Sequence, residues 1–222
     1  MMTICLGLLS LVFVAQSEPA ATDGIRLADG LLIETWAESP LVEDPVAICV
    51  DADGRVYFAE TFRQEHGVED NRSQPYWLLD DLAAVRTEDR LAKYRKWAHK
   101  RENGMEWYSE KEDRIRCLQD TDGDGVADSS VIFADGFNAP LDGTGAGLIM
   151  NGDELWYTCI PNMWRLRDVE GDSMADEREV VWSGFGVRDA LRGHYMHGLT
   201  WGPDVRLYWS IGDRGYNVER SD

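Results

Sequence analysis

Cysteine is scarce in this sequence, and its spacing excludes two common kinds of site. The 222 residues contain four cysteines and no CxxC pair. Structural zinc sites and c-type haem attachment both use closely spaced cysteines, so neither is expected in this chain. Three cysteines follow the N-terminal apolar segment, namely Cys49, Cys117 and Cys159. Because three thiols cannot all pair within one chain, we expect at most one disulfide.

Positive charge is also scarce. The chain has 22 Lys and Arg against 41 Asp and Glu, which gives a net charge of −19. Nucleic-acid-binding proteins need a basic footprint, so this balance argues against a nucleic-acid partner. It favours a soluble surface that can attract cations. Hydrophobic residues make up 44% of the chain and nine are Trp, which indicates a packed globular core.

Long apolar runs are lacking, apart from one short run at the N-terminus. Ile4 to Ala15 is almost wholly apolar, and Ala15 and Ser17 place small residues around a cleavage site. We therefore predict a secretory signal over residues 1–17 and an exported, periplasmic or envelope-associated protein. An uncleaved anchor is the alternative, although the run is short for a bilayer span, which needs about 20 residues.

One segment of the chain is present twice. Residues 114–137 reappear, altered, at 162–185, an offset of 48 residues. The identical pairs are Leu118 and Leu166, Asp120 and Asp168, Gly123 and Gly171, Asp124 and Asp172, Ala127 and Ala175, Asp128 and Asp176, Gly136 and Gly184, and Phe137 and Phe185. A period in the forties of residues is typical of propeller blades and of helical solenoid units.

The strand pattern decides between these two architectures. Three hairpins are predicted, each with an apolar strand, a polar turn and an aromatic strand, at 46–59, 148–157 and 199–211. Further strands are predicted at 30–38, 114–118, 131–133, 163–167 and 180–182. About four short strands per repeat make a propeller blade, whereas a solenoid needs two long helical stretches. The predicted fold is all-β, a partial β-propeller of about three four-stranded blades over residues 25–222.

A helical insertion interrupts the first predicted blade. Apolar residues at helical spacing predict one or two helices over about 75–100, and they are Leu78, Leu82, Val85, Leu91, Tyr94 and Ala98. Basic residues lie between them: Arg86, Arg90, Lys93, Arg95, Lys96, Lys100 and Arg101. Such a cluster is typical of a solvated helix face, and contact with a partner or a neighbouring domain is the alternative.

The number of blades bears on the extent of the domain. A propeller typically has four or more blades, and about three are counted in this sequence. We therefore expect the chain to be the N-terminal part of a longer protein. On its own it is expected to be inactive, because later blades would supply the other residues of the central channel.

An acidic turn in the first copy of the repeat reads DTDGDGVAD. Its carboxylates occupy positions 1, 3, 5 and 9 and can converge on one Ca²⁺, and they belong to Asp120, Asp122, Asp124 and Asp128. The turn is not an EF-hand, because position 12 is Val131. It resembles the calcium-binding loops of thrombospondin type 3 repeats. A solvated turn rich in Asp and Gly is the alternative, and it is favoured in the second copy, where Ser173 replaces a glycine.

Two of the four histidines, His194 and His197, immediately precede the third hairpin. Histidine is the usual general base at neutral pH. In a propeller, the entrance to such a strand can lie near the central channel, where sites gather. Ordinary hydrogen bonding of both rings within a loop is the alternative.

The stretch from His194 to Asn217 carries a family resemblance. A histidine precedes a Gly-x-Leu strand, which is followed by GPD, an aromatic strand and an IGDRG turn. This order resembles a blade of the soluble quinoprotein glucose dehydrogenases and the glucose/sorbosone dehydrogenase family. The resemblance implies pyrroloquinoline quinone (PQQ) as cofactor, with His194, Arg214 and Asn217 beside it. It implies His194 or His197 as the catalytic base, with Arg214 stabilising charge on the quinone. In that family an acidic residue precedes the base, and in this chain Gly193 occupies that position.

Residues 25–217 also resemble the larger group of membrane-bound dehydrogenase domains. The matching motifs are DPVAICVDADGRVYFAET, DTDGDGVAD and HGLTWGPDVRLYWSIGDRG. The resemblance implies an exported dehydrogenase that oxidises a sugar or related alcohol. Electrons would pass to a c-type cytochrome domain or protein, whose haem c would lie in a C-terminal part outside this sequence.

Two other functions fit a propeller, since one fold hosts many activities. The first is a non-catalytic, calcium-stabilised propeller that binds glycans or a protein partner. The second is a lactonase-type hydrolase, which needs carboxylates around a central metal ion, and no such set is evident in the sequence.

Overall fold

A computed structural model of the chain describes residues 24–220. The described residues divide into two compact units, one that ends at Trp36 and one that begins at Ala37. The strand predicted at 30–38 is wrong: these residues form no ladder, and Leu31 and Leu32 are 61% and 90% exposed. The signal predicted at 1–17 lies outside the described residues. Between residues 24 and 220, no helix is long and apolar enough to cross a membrane.

The first sheet is an antiparallel meander of four strands. Its hydrogen-bonded order follows the chain: β1 Pro45–Val50, β2 Val56–Glu60, β3 Asp113–Gln119 and β4 Ser129–Phe137. All five residues of β2 are buried, because this strand has neighbours on both sides and packing on both faces.

The second sheet repeats this meander. Its first four strands are β5 Gly147–Asn151, β6 Glu154–Cys159, β7 Asn162–Arg167 and β8 Glu177–Phe185. Strands β4 and β8 span equivalent positions of the repeat, 48 residues apart. The hairpins and strands predicted in these two repeats are confirmed.

The third hairpin is also confirmed, but it forms a two-stranded sheet. Its strands are β9 Met196–Trp201 and β10 Leu207–Ile211. The next strand, β11 Tyr216–Arg220, pairs with β8 of the second sheet and not with β10. The described part of the chain therefore has sheets of four, five and two strands, where three four-stranded units were expected.

The sheets meet through their first strands and share two apolar cores. Strand β1 lies next to β5, and β5 lies next to β9. Side chains of both large sheets form the first core, which includes Tyr57, Ile115, Phe133, Leu155 and Tyr157. The second core joins the second sheet to the β9–β10 hairpin through Met163, Phe185, Tyr195 and Met196. The eleven strands within residues 24–220 make this part of the chain mostly β.

Helices occupy the segment between β2 and β3. They are α1 Leu78–Ala83 and α2 Thr87–Trp97, with short 3₁₀ turns at Pro75–Trp77, Ala98–Lys100 and Glu106–Ser109. The helical segment buries charged side chains beside Tyr94 and leaves several of its aliphatic ones exposed. Arg90 and Lys93 are 1% and 2% exposed, while Leu82 and Val85 are 55% and 61% exposed. The expected solvated basic face is therefore wrong at Arg90 and Lys93, whose charged ends have partners inside the protein.

Candidate functional site

Side-chain hydrogen bonds gather several strand ends at one end of the sheets. Asp113, the first residue of β3, accepts hydrogen bonds from the backbone N–H groups of Phe62, at 2.8 Å, and Gly145, at 3.1 Å. Thr158, near the end of β6, donates its hydroxyl to the Met196 carbonyl at the start of β9, at 2.6 Å. We call this the site end, the end where β3, β5 and β9 begin. The opposite, turn end carries the two acidic turns.

His194 lies in the loop that enters β9 at the site end. Its Nδ1 is 2.9 Å from Oδ1 of Asp213, and both side chains are about half exposed, at 46% and 48%. A carboxylate at Nδ1 favours the tautomer with the proton on that nitrogen, which leaves the Nε2 lone pair free to accept a proton. This is the arrangement of a general base with an orienting acid. In this chain, the carboxylate beside His194 comes from Asp213.

His197 lies within β9 and has weaker partners. Its side chain is exposed, and its Nδ1 is 3.5 Å from the hydroxyl of Ser210, the residue paired with it on β10. No carboxylate bonds its ring among residues 24–218. Of the two histidines proposed as the base, only His194 therefore has, in the described part of the chain, a carboxylate that orients its ring.

Arg214 is buried beneath the His194 loop. It is 1% exposed, and its Nη2 donates to the Tyr195 hydroxyl at 2.8 Å and to the Glu69 carbonyl at 3.3 Å. Its Nη1 is 3.7 Å from the Asp189 carboxylate. Burial raises the pKa of the Tyr195 hydroxyl, so Tyr195 remains a neutral partner of the guanidinium. In this arrangement Arg214 cannot touch a molecule that occupies the solvent beside His194.

Asn217 is exposed on β11. It borders a small cavity of about 70 Å³ that also contacts the first turn of α2, at Thr87 and Glu88. The three residues assigned to a quinone thus differ in setting: His194 is exposed in a loop, Arg214 is enclosed and Asn217 faces a separate cavity.

A cleft of about 850 Å³ opens at the site end of the first sheet. Its lining includes Asp44, Phe62, His66 and Glu112, which lie before or after β1, β2 and β3. Its volume falls within the usual range of small-molecule sites, about 300–1,000 Å³. The cleft places polar and aromatic groups where a small polar molecule can enter.

The first acidic turn joins β3 to β4 at the turn end. One carboxylate oxygen from each of Asp120, Asp122 and Asp124 lies within 4.8 Å of the others. Asp128 does not belong to this group, and its two oxygens accept hydrogen bonds from the N–H and the hydroxyl of Thr121. The structure therefore brings together three of the four predicted ligands, and these offer the oxygens that Ca²⁺ prefers.

The second acidic turn repeats the backbone of the first. Asp120 accepts hydrogen bonds from Gly123 and Gly125, and Asp168 accepts them from Gly171 and Ser173 at equivalent positions. Ser173 adopts φ +67°, a region that favours glycine. Its hydroxyl accepts a hydrogen bond from Gln119 of the first sheet. Between residues 24 and 220, the acidic side chains of this second copy are not gathered as those of the first are.

A buried charged network joins the helices to the loop before His194, and the sequence pattern did not reveal it. Lys93 of α2 bonds the carboxylates of Asp81 and Asp189, and the Tyr94 hydroxyl also donates to Asp189. Burial opposes ionisation of Asp81, but Lys93 and several hydrogen bonds hold its pKa below the usual value. Near the network, Arg101 pairs with Glu69, whose pKa is raised by burial.

Comparison with known proteins identifies one family. The family model described as "Domain of unknown function (DUF7133)" matches residues 17–222. No curated protein and no solved structure matches the chain.

Proposed function

Given that the chain belongs to the DUF7133 family, we propose that it contributes the base-bearing part of an exported dehydrogenase that oxidises a sugar or related alcohol. The observation that carries the proposal is the contact between His194 and Asp213. The ring presents Nε2 to solvent, where it can take the proton of a substrate hydroxyl, and Asp213 stabilises the imidazolium that forms. The resemblance described above supplies the reaction class and the c-type cytochrome as the electron-accepting partner.

A partial β-propeller is the architecture that we propose for this enzyme. Two successive four-stranded antiparallel meanders and a third hairpin support it. Their first strands β1, β5 and β9 are neighbours, as the inner strands of successive blades are. In this arrangement the loops at the site end, including the His194 loop, lie around the mouth of a central channel.

PQQ is the electron acceptor that the resemblance implies, and its binding remains a proposal. The fit of the described residues to a quinone is poor, because the buried Arg214 already bonds Tyr195 and Glu69. Proton transfer is therefore the one step that we propose for the residues of this chain. His194 and Asp213 are the groups that we expect substrate to meet.

Loss of activity in histidine variants tests the function. The full-length protein, of which this chain is expected to be the N-terminal part, would be supplied with PQQ and Ca²⁺ and assayed for dye-linked oxidation of a panel of aldoses and related alcohols. We expect His194→Ala to lower kcat/KM by about 10²-fold, since a positioned base typically contributes at least that much. Asp213→Asn should lower kcat/KM less, because the imidazole remains but loses its orienting carboxylate.

The control for this test is His99→Ala, which removes another exposed histidine, in the 3₁₀ turn after α2. His197→Ala tests the second candidate base. Full activity in His194→Ala together with loss in His197→Ala would transfer the role to His197. Absence of oxidation across the panel would refute the dehydrogenase class.

Calcium at the first acidic turn is a further part of the proposal, with a structural role. When the free Ca²⁺ concentration is about ten times Kd, we expect binding to raise the free energy of unfolding by about 1.4 kcal/mol. Asp124→Asn should remove this effect. Asp172→Asn is the matched control, because Asp172 is the equivalent residue of the second copy and bonds Met174 as Asp124 bonds Val126. Thermal unfolding with Ca²⁺, Mg²⁺ or chelator would measure this gain in stability. If Ca²⁺ does not stabilise the native protein, the calcium site is refuted.

A non-catalytic role in binding a protein is the second candidate function. The exposed aliphatic residues of the helical segment favour it, since such patches mark interaction sites, and they are Leu78, Leu79, Leu82 and Val85. Calorimetric titration of PQQ into the protein separates the two candidates. A saturable complex that weakens in His194→Ala favours the enzyme, and no complex favours the binding role.

A further inference from the structure

Two neighbouring cross-links join the loop before β9 to the turn after β10. The first is the exposed contact between His194 and Asp213. The second joins the next residue of each segment, because Arg214 donates a hydrogen bond to the Tyr195 hydroxyl at 2.8 Å. Tyr195 and Arg214 are each 1% exposed. A buried charge-assisted contact thus lies directly behind the exposed pair.

The backbone also brings these two segments into close approach. A Cβ atom on Gly212 would lie 2.7 Å from Cβ of His194, so only glycine allows the two chains to lie this near each other. The guanidinium carbon of Arg214 lies 3.9 Å from the centre of the Tyr195 ring. The Arg214 side chain therefore meets both the ring and the hydroxyl of Tyr195, which restricts its rotamers.

The contact behind His194 continues into the helices. Arg214 Nη1 is 3.7 Å from Asp189, which accepts hydrogen bonds from Lys93 and Tyr94 of α2. The N–H of Asp189 donates to Asp81 of α1 at 2.9 Å. The loop that carries His194 is thereby bonded to both helices through buried charged groups. Such a network holds its side chains in one arrangement, because losing a partner would leave a buried charge unpaired and destabilise the folded protein.

We propose that Arg214 and Lys93 are positioning residues for the His194–Asp213 pair, and that the helical segment between β2 and β3 is the support on which this pair is held. The inference rests on the proposed function, since it assigns the network a role in orienting the base. It gives Arg214 a task different from contact with a quinone. Neither residue touches the solvent from which substrate approaches His194.

The tautomer of His194 is the readout, because a merely structural role would not change it. In ¹⁵N-histidine-labelled protein at pH 8, long-range ¹H–¹⁵N spectra report which ring nitrogen carries the proton, and His194→Gln assigns the signal. We expect at least about 90% of His194 to carry its proton on Nδ1 in the native protein, since Asp213 accepts it. Tyr195→Phe and Lys93→Met should each lower this fraction to about half.

Two further variants sharpen the test. Lys93→Arg keeps the cation and should restore the native tautomer. Tyr57→Phe is the matched control, because its hydroxyl also bonds a carboxylate, that of Asp51, but at the turn end of the first sheet. Tyr195→Phe removes a single hydroxyl, so it keeps the inference testable if Lys93→Met does not fold.

The outcomes separate this inference from the proposed function. An unchanged His194 tautomer in both Tyr195→Phe and folded Lys93→Met would overturn the positioning role, even in an active enzyme. A changed tautomer, together with absence of oxidation by the full-length protein, would support the positioning role and refute the dehydrogenase. An equal change in Tyr57→Phe would also overturn the inference, because the effect would then not depend on the network.

Discussion

Lys93→Met is expected to lower the free energy of unfolding by about 3–5 kcal/mol, because breaking a buried ion pair leaves an uncompensated charge. The Lys93 ammonium lies between the carboxylates of Asp81 and Asp189, and all three side chains are 1% exposed. It also lies 4.3 Å from the centre of the Trp77 ring. Methionine fills similar space but removes the cation between the two buried carboxylates, which leaves Asp189 with Arg214 at 3.7 Å.

Lys96→Met provides the control on the same helix. Lys96 pairs with Asp80 on the surface, with side chains 58% and 33% exposed, and such pairs contribute about 0–1 kcal/mol. Urea unfolding at pH 7, followed by tryptophan fluorescence, would measure both variants. Similar losses for the two variants would contradict the importance of the buried network. Asp189→Asn in the Lys93→Met background should recover part of the stability, because one of the two buried carboxylates that faced Lys93 then carries no charge.

The strands of the first two repeats were predictable because their signals are local. The hairpin at Val46–Ala59 has an apolar run, an Asp-Ala-Asp-Gly turn and an apolar return, and it folds as β1 and β2. The acidic turns were visible through their repeated sequence. Asp120 and Asp168 bind equivalent backbone N–H groups, so the repeat records a shared turn geometry.

The buried network was not predictable, because its partners are far apart in sequence. Lys93 and Asp189 are separated by 96 residues. Local periodicity correctly placed Tyr94 on the face to be buried, but it also placed Leu82 and Val85 there, and both are exposed. Tertiary contacts bury Lys93 beside Tyr94 instead. A helix pattern shows which residues share a face, but it does not show whether a neighbouring loop offers carboxylates to that face.

The pairing of strands outside the hairpins was also not predictable from the sequence. The stretch from His194 to Asn217 resembles a single blade, yet β11 pairs with β8 of the second sheet. The IGD motif drew attention to Asp213. Its contact with His194 could not be predicted from local sequence, because the two residues are 19 positions apart. Sheet order and side-chain partners of this kind depend on long-range packing, which the alternation of residues does not encode.

Asp142→Asn is expected to raise the free energy of unfolding at pH 7.5 by about 2–3 kcal/mol, which reflects the interval between the folded and unfolded pKa values. Asp142 lies in the loop between β4 and β5, where burial raises the pKa of its carboxyl from 3.8 to about 6. Nearby Asp113 adds to this effect, while Arg63, Arg90 and the hydrogen bond from Ala139 oppose it. Asparagine keeps an oxygen to accept the Ala139 N–H but carries no charge.

The sign of the pH dependence follows from the raised pKa. Between about pH 4 and 6 the folded state holds the Asp142 proton that the unfolded state has already released, so stability falls as pH rises through this window. The variant and the native protein should therefore be almost equally stable at pH 4 and differ most above pH 7. Denaturant unfolding at pH 4, 5, 6 and 7.5 measures this difference, with the exposed Asp53→Asn as control. A constant difference across the range would assign the effect to packing and not to ionisation of Asp142.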